Sequence, residues 1–343
     1  MNWRTQETLE SWSALVPQHV YVDEAMLFAS ASEVALRKFS IPKWNDDAIY
    51  AHDFLAFVTQ EFWRSCVNFC FAHPGQFRTE YELTFSAKSG NNVKFGSAAM
   101  GACFFRTFHE SPVYANDILN IVFSLGRTKK FFKGFNDLPM IGERRDLLEE
   151  AAIVVSEKFD GDPMNILEEG QYRAFGKNGS DGVVDILLNK FPNTFGADNA
   201  TLVDGEGNVR KFHFMKRAQL FVKIYHEKAT QKFKRLIEDI EYLGPIPDYE
   251  IPRGYHSDGI FIYSDSLMQK IMDRSIIKAG SRMETELRAA TVFAQMEELK
   301  IINACRGTEG LRPISICELD SYRWIKGQES FDYPHHVCLT TAY

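Results

Sequence analysis

The chain has 343 residues, of which 45% are hydrophobic and 25% are charged, and this balance excludes an intrinsically disordered or collagen-like protein. A chain of this length forms either two domains or one large domain with two lobes. The 46 acidic residues outnumber the 39 basic ones and give a formal net charge of -7, so an extended surface for nucleic-acid phosphates is not expected. Any anionic ligand should be small and held by a few residues.

Phenylalanine is frequent, with 28 residues beside 13 tyrosines and 5 tryptophans. Most are expected to fill an aromatic core, and the rest to line a pocket that stacks a planar ring. The six cysteines form no C-x-x-C pair, so zinc and redox spacings are missing and we expect reduced, buried thiols in a cytoplasmic protein. We also expect neither a secretory signal nor a membrane-spanning segment.

The hydrophobic pattern along the chain is mainly helical, with two short β-hairpins. In chain order, helical or bulky apolar segments are expected at residues 12–39, 54–71, 96–108, 143–158, 214–225, 283–302 and 316–324. The hairpins are expected to pair 80–85 with 92–95 around a turn at 86–91, and to turn again at 204–207. Because helices and strands do not alternate, a doubly wound nucleotide-binding fold is disfavoured.

The common short motifs of cofactor and metal enzymes are missing from the sequence. It contains no G-x-G-x-x-G after a predicted strand, no P-loop, no H-E-x-x-H and no G-x-S-x-G. His335 and His336 are adjacent, but neighbouring side chains rarely converge on one ion. We therefore expect no bound metal and no cofactor.

Glu286 lies within the apolar stripe of the predicted helix at 283–302, whereas Glu284 and Arg288 lie off the stripe as an i, i+4 pair. A carboxylate that faces an apolar core must be paired, hydrogen-bonded or protonated. Two interpretations of Glu286 are open: it forms a salt bridge or caps buried backbone, or it binds a polar ligand.

Three further polar residues stand out by their surroundings. Asp248 lies in a Pro-Asp-Tyr-Glu-Ile-Pro segment at 247–252, where the prolines favour extended backbone, so it is expected to form an Asx turn or to serve a site. Asp320 is flanked by aromatic and apolar residues and is either solvated or functional. Lys216 begins an amphipathic helix, where it either lies on the solvent-exposed face or helps to bind an anion.

Several segments from about Phe54 to the end of the chain share motifs, in the same order, with one known family. They include asparagine-phenylalanine-x-phenylalanine at 68–71, a helix with its flanks at 138–161, lysine-arginine-alanine-glutamine at 216–219, aspartate-tyrosine-x-isoleucine-proline at 248–252, a glycine, arginine and glutamate segment at 280–288, leucine-aspartate at 319–320, and the ending at 334–343. No one segment is specific, but their order and spacing are. The chain thereby resembles the queuosine salvage family, which are queuosine 5'-phosphate N-glycosylases.

The resemblance implies a single mainly helical α+β domain over residues 1–343, with two lobes similar to those of helix-hairpin-helix DNA glycosylases. It implies hydrolysis that releases the base queuine from queuosine 5'-monophosphate, for reuse in tRNA modification. By resemblance, Asp320 stabilises or attacks the positive charge that develops on the sugar, and Asp248 accepts hydrogen bonds from the guanine-like edge of the base. The implied partner is a small molecule, with no direct nucleic acid and no membrane, and the sequence indicates no oligomeric state.

The remaining expected site residues are also assigned by position in the family. Phe69 or Phe71 is expected to cover the face of the base, beside Asn68. Lys216 is expected to bind the 5'-phosphate or to orient Asp320. Substrate-binding positions are also assigned to Ile246, Ser321 and Glu286.

The chain departs from the family pattern at five positions. Where the family has an aspartate, a tryptophan, an aromatic residue, a tyrosine and a second aspartate, this chain has Ser65, Ala72, Ile246, Ser321 and Ile325. Three hypotheses therefore remain open: a hydrolase of queuosine 5'-monophosphate or of a related 7-deazaguanine nucleotide or nucleoside, a binder of a modified base without turnover, and a DNA-acting glycosylase. The net charge of -7 disfavours the last.

Overall fold

A computed structural model describes residues 1–74, 84–89, 91–177, 179–330 and 332–343. The structure is mainly helical with short antiparallel strand pairs, which confirms the predicted α+β class. None of the described helices is both long and apolar enough to span a bilayer.

The helices are numbered in chain order. They are α1 Trp3–Ser13, α2 Glu24–Val34, α3 Phe54–Cys66, α4 Gly96–Phe108, α5 Ala115–Val122, α6 Leu125–Phe131, α7 Ile141–Lys158, α8 Met164–Glu169, α9 Val183–Lys190, α10 Lys216–Gln231, α11 Glu250–Ser257, α12 Asp265–Met272, α13 Arg282–Thr308 and α14 Ile316–Gln328. The strands are β1 Val20–Val22, β2 Ser86–Ser89, β3 Asn92–Phe95, β4 Asn199–Val203, β5 Val209–His213 and β6 Phe261–Tyr263. They pair as β1 with β6, β2 with β3 and β4 with β5.

Most of the strongly periodic segments form the predicted elements. The helices expected at 96–108, 143–158, 283–302 and 316–324 correspond to α4, α7, α13 and α14. The turn at 204–207 joins β4 to β5, as predicted. After α7 the chain turns through Asp160 and Gly161, whose φ angles of 52° and 78° end the helix.

Two predictions are wrong in detail. The segment 12–39 is not one helix, because Val20–Val22 pairs with the distant strand Phe261–Tyr263, and Asp23 then caps α2 by accepting the backbone N–H of Met26. The first hairpin begins within the predicted turn, since Ser86–Ser89 pairs with Asn92–Phe95. Of its predicted first strand, 80–83 lies outside the described residues.

The chain divides into two compact units. Unit 1 comprises Met1–Pro42, Asp198–Lys216 and Glu241–Leu339. Unit 2 comprises Lys43–Ala197, Arg217–Ile240 and Thr340–Tyr343. In sequence, one boundary therefore falls between the first and second residues of α10.

Aromatic side chains fill the core of each unit, as the composition predicts. In unit 1 the buried cluster includes Trp12, Phe212, Phe214, Tyr255 and Phe261. In unit 2 the ring of Phe62 packs against Trp63, Phe191, Phe195 and Phe221, with centroid separations of 4.8, 5.9, 6.2 and 5.6 Å. The contact with Phe195 is tilted and the other three are edge-on, and such contacts add specific geometry to the area that the rings bury.

Within unit 1, α11 and α14 pack closely where two glycines meet. A Cβ added to Gly327 would lie 2.1 Å from the backbone oxygen of Glu250, and one added to Gly254 would lie 3.1 Å from the backbone nitrogen of Gly327. Neither glycine has a positive φ, so the missing side chains matter here and the backbone freedom does not. The crossing sets the position of Asp248, which precedes α11, relative to the α14 helix that carries Asp320.

Changing Gly327 to alanine is therefore expected to lower the free energy of unfolding by about 1–3 kcal/mol, because the new methyl group meets backbone that has no room to move. Gly307→Ala in α13 is the matched control, since a Cβ there meets no atom of the described residues within 4 Å. Alanine also favours a helix over glycine by up to about 1 kcal/mol, so the control should be as stable as the parent or more so. Urea unfolding measures both variants, and equal stabilities would show that the crossing tolerates a side chain.

Candidate active site

Lys216 and Asp248 form a buried ion pair in unit 1. Lys216 Nζ lies 3.1 Å from Asp248 Oδ2, and the two side chains are 2% and 13% exposed. Asp248 Oδ1 accepts the backbone N–H of Glu250 at 3.2 Å, which confirms the predicted Asx turn. The extended backbone predicted through Pro252 is wrong, because this proline lies in the first turn of α11, where a missing N–H is tolerated.

Asp198 holds Lys216 from the other side. Arg288 Nη1 and Nη2 donate to Asp198 Oδ1 and Oδ2 at 2.7 and 2.9 Å, and Oδ2 also accepts the backbone N–H of Lys216 at 2.8 Å. The Arg288 guanidinium lies 3.9 Å from the ring centre of Phe214. Bidentate charge-assisted pairs fix geometry well, so Lys216 is held at both its backbone and its ammonium group.

The approach of the chain to α10 is also fixed. Met215 precedes Lys216 with a φ of 52°, in the left-handed region that residues other than glycine seldom occupy. The predicted i, i+4 pair on α13 is present, with Arg288 Nη1 3.6 Å from Glu284 Oε1. Sequence reasoning missed Asp198, because no local pattern distinguishes an aspartate whose partner is 90 residues away.

Asp320 lies in the second turn of α14 and is 5% exposed. The helix begins with a capping box, in which Ser315 caps the backbone N–H of Glu318 and the Glu318 carboxylate accepts that of Ser315. Arg312 Nη2 also pairs with Glu318 Oε1 at 2.5 Å. The start of the helix that presents Asp320 is therefore well anchored.

One turn after Asp320, Arg323 ties α14 to α13. Its Nε donates to Glu298 Oε1 and Oε2 at 3.0 and 2.8 Å, and its Nη1 donates to Asp258 Oδ2 at 2.7 Å. Tyr255 Oη donates to Glu298 Oε2 at 2.6 Å. Burial raises the pKa of Tyr255 well above its ordinary value, and the charges of Glu298 and Asp320 raise it further. Asp320 thus lies close enough to this network to act on it electrostatically.

For Glu286 the structure supports the first of the two interpretations. Its fully buried carboxylate accepts the backbone N–H groups of Gln18, His19 and Val20 at 3.0, 2.6 and 3.2 Å, and Arg282 Nε at 2.8 Å. The side chain holds the start of β1 against α13. Glu286 is therefore an anchor of the fold in unit 1.

Two of the residues that depart from the family pattern are close in sequence to Asp248 and Asp320. Ile246 is buried, and its carbonyl oxygen accepts the backbone N–H of Asp248 at 2.7 Å. Ser321 follows Asp320 and is buried, and its Oγ has no hydrogen-bond partner among the described residues. Ile325, on the same helix, is exposed.

Asn68, Phe69 and Phe71 lie in unit 2, just after α3. Both phenylalanine rings are buried, and the guanidinium carbon of Arg144 lies 4.1 Å from the ring centre of Phe69 and 5.2 Å from that of Phe71. That of Arg217 lies 5.2 Å from Phe69. Arg144 also donates to the carbonyl oxygens of Phe69 and Cys70. Base stacking by either ring stays a prediction, and both arginines belong to segments that the family pattern contains.

Two adjacent histidines, the half-buried His335 and the buried His336, follow in unit 1, close to the Asp248 turn. The His335 ring lies 4.4 Å from that of Tyr249, the residue after Asp248. Burial lowers the pKa of both histidines, and that of His336 falls to about 3, with the positive charges of His335 and Arg288 contributing. His336 is thus neutral in the folded protein at physiological pH.

The His336 pKa predicts acid sensitivity of the fold. Below about pH 6.5 the unfolded chain protonates this imidazole, whereas the folded chain does so only near pH 3, so stability falls as the pH is lowered between these values. The slope is up to about 1.4 kcal/mol per pH unit for one proton, and His335 adds to it in the same direction.

Urea unfolding at pH 7.0, 6.0 and 5.0 measures this slope, and His336→Gln should reduce it by about one proton relative to the parent. His52→Gln removes an exposed imidazole and is the control. Equal slopes for the parent and His336→Gln would contradict the burial of a neutral ring.

Comparison with known proteins supports the family resemblance seen in the sequence. The family model described as queuosine salvage protein matches residues 50–343. A protein of Sphaerobacter thermophilus named queuosine 5'-phosphate N-glycosylase/hydrolase is 26% identical over 328 residues, which cover 95% of this chain and 94% of that protein. Relatives with the same name from Dictyostelium discoideum and Bos taurus are 28% and 24% identical, over 60% and 54% of this chain and 60% and 52% of their own. This chain therefore belongs to the queuosine salvage protein family.

Proposed function

We propose that this protein hydrolyses the N-glycosidic bond of queuosine 5'-monophosphate, or of a related 7-deazaguanine nucleotide or nucleoside, and releases queuine. The observation that carries the proposal is the family match over residues 50–343, together with relatives that are named for this activity. The partly buried carboxylate of Asp248 and the buried one of Asp320, both in unit 1, support it, because each has a chemical task in this reaction.

At the sugar, cleavage of the C–N bond builds positive charge on the anomeric carbon. A carboxylate close to that carbon lowers the barrier by stabilising the charge or by attacking the carbon, and water completes the hydrolysis. We assign this role to Asp320, whose turn of α14 is held by the capping box before it and by Arg323 after it. Ser321 is proposed to lie beside the sugar.

At the base, the leaving group needs stabilisation that does not depend on N7. A 7-deazapurine has carbon at that position, so protonation there cannot assist departure, and the enzyme must bind the other polar atoms of the base. We assign the guanine-like amino and imino groups to Asp248, whose carboxylate oxygens can accept their hydrogen bonds and whose position is fixed by the Lys216 ammonium. This ion pair favours a role for Lys216 at the base over contact with the 5'-phosphate or with Asp320.

The remaining features of the proposal rest on the family. Asn68 and a ring of Phe69 or Phe71 are proposed to contact the base, and Ile246 to border it. The fold is proposed to be a single two-lobed domain similar to helix-hairpin-helix DNA glycosylases. We further propose a cytoplasmic enzyme that uses no metal or cofactor, binds no nucleic acid or membrane directly, and supplies queuine for tRNA modification.

A second candidate function is binding of a modified base without turnover. The residues that favour it are Ile246, Ser321 and Ile325, where the family pattern has an aromatic residue, a tyrosine and an aspartate. The two candidates differ in one observable. A binder is stabilised against heat by queuine but forms no product.

Incubation with queuosine 5'-monophosphate, queuosine and guanosine 5'-monophosphate in parallel tests the proposal. Liquid chromatography with mass spectrometry measures the free bases. We expect queuine from the first substrate, at an equal or lower rate from the nucleoside, and no guanine from the third. Guanine release as fast as queuine release would contradict the assignment of a 7-deazaguanine substrate.

A further inference from the structure

The inner face of α13 carries a row of buried polar side chains. Arg288, Thr291, Gln295 and Glu298 follow at intervals of three and four residues, which places them on one face of a helix, and each is buried. Three of them have partners: Arg288 binds Asp198, Thr291 Oγ1 donates to the carbonyl oxygen of Leu287 at 2.7 Å, and Glu298 accepts from Arg323.

Gln295 is the exception in this row. Its side chain is 0% exposed, and neither Oε1 nor Nε2 has a hydrogen-bond partner in the parts of the chain that the structure describes. An amide offers two donors and an acceptor, and burying all of them unpaired is unfavourable. Buried polar groups in folded proteins are nearly always satisfied, so an amide in this state requires an explanation such as a bound ligand.

The position of Gln295 along α13 indicates which ligand. It lies two turns after Arg288, which organises Lys216 and Asp248 through Asp198, and one turn before Glu298, which fixes Arg323 on the helix of Asp320. At 1.5 Å per residue these separations are about 10 and 5 Å along the helix axis. The amide thus lies between the two groups of residues to which base binding and sugar chemistry are assigned.

We propose that Gln295 is a substrate-binding residue whose amide hydrogen-bonds the hydroxyl groups of the ribose. The inference rests on the proposed function. A hydroxyl is both donor and acceptor and carries no charge, which matches a neutral amide in a buried site. The base edge is already assigned to the Asp248 carboxylate, and a phosphate would require a cation. The ribose is bonded directly to the base, and it contains the anomeric carbon at which Asp320 is proposed to act.

Gln295→Leu distinguishes this role from a structural one. Leucine removes the unpaired amide at similar size, so the variant should melt at the parent temperature or above it, because removing an unsatisfied buried polar group is favourable. Its kcat/KM for queuosine 5'-monophosphate should fall about tenfold or more, since the ribose loses its partner. Thr285→Val is the matched control: it removes from α13 a second buried polar group, a hydroxyl that has no partner among the described residues, and should change kcat/KM by less than about twofold.

Substrate analogues test the assignment to the ribose. The parent should process at least one of the 2'-deoxy and 3'-deoxy analogues of queuosine 5'-monophosphate about tenfold more slowly, and Gln295→Leu should lose that discrimination. Unchanged kcat/KM in Gln295→Leu, or undiminished discrimination, would overturn the inference, as would a melting temperature that falls while kcat/KM is kept. If the parent releases no queuine, the proposed hydrolysis has failed, and calorimetric affinities of the parent and Gln295→Leu for the same nucleotides still decide the role of Gln295.

Discussion

Replacing Asp320 with asparagine is expected to slow the release of queuine from queuosine 5'-monophosphate by about 10²–10³-fold or more. Asparagine keeps the shape of the side chain but removes the charge that opposes the developing positive charge on the sugar. The loss should appear in kcat, because this interaction strengthens only in the transition state. Steady-state kinetics with chromatographic detection of queuine measures it.

The control for this variant is Asp273→Asn, which removes an exposed carboxylate at the end of α12 in the same unit. It should retain the parent rate. Both variants should unfold at urea concentrations close to that of the parent, which separates chemistry from folding. A parent-like kcat in Asp320→Asn would remove this residue from the reaction.

Replacing Asp198 with alanine is expected to lower the free energy of unfolding by about 3–5 kcal/mol. The change leaves Arg288 buried without its bidentate partner and frees the backbone N–H at the start of α10. In the folded fraction of the variant, the backbone N–H of Lys216 has lost its hydrogen bond to Asp198. The ion pair between Lys216 and Asp248 should then weaken, and the affinity for queuine should fall. Urea unfolding measures the first effect and titration calorimetry the second.

A double variant, Asp198→Asn with Arg288→Gln, separates positioning from stability. It removes the Arg288 charge, which Asp198→Ala leaves buried without its bidentate partner, and should recover part of the lost stability. It does not restore the charge-assisted pair, so queuine affinity should stay below that of the parent. Recovery of full affinity together with stability would show that Asp198 and Arg288 serve folding alone. A loss of less than about 1 kcal/mol in Asp198→Ala would contradict the burial of the pair.

Strong local periodicity predicts most of the helices that the structure contains, whereas the loose helical spacing over 12–39 does not predict the strand within it. The apolar spacing predicts α4, α7 and α13, although α13 continues to Thr308, beyond the predicted end at 302, and the Asp-Gly-Glu-Gly turn predicts the β4–β5 hairpin. The β1–β6 pair was beyond such reasoning, because Val20 and Tyr263 pair across more than two hundred residues. A strand of three residues carries too little pattern to show its partner.

The candidate site shows the same division. Lys216, Asp248 and Asp320 could each be predicted from the sequence as candidate site residues. That Lys216 and Asp248 form an ion pair could not be predicted from it. Asp198 and Gln295 were missed because burial and the lack of a partner are properties of the packed structure. The carboxylate of Glu286 was correctly expected to be paired, and only the structure identified its partners as backbone N–H groups.

The products formed by the purified parent from queuosine 5'-monophosphate test the central claim most directly. The account predicts that free queuine and ribose 5-phosphate appear together in a one-to-one ratio, and that Asp320→Asn forms both far more slowly. Intact nucleotide after prolonged incubation, with a melting temperature that rises on addition of queuine, would contradict hydrolysis and identify a binding protein.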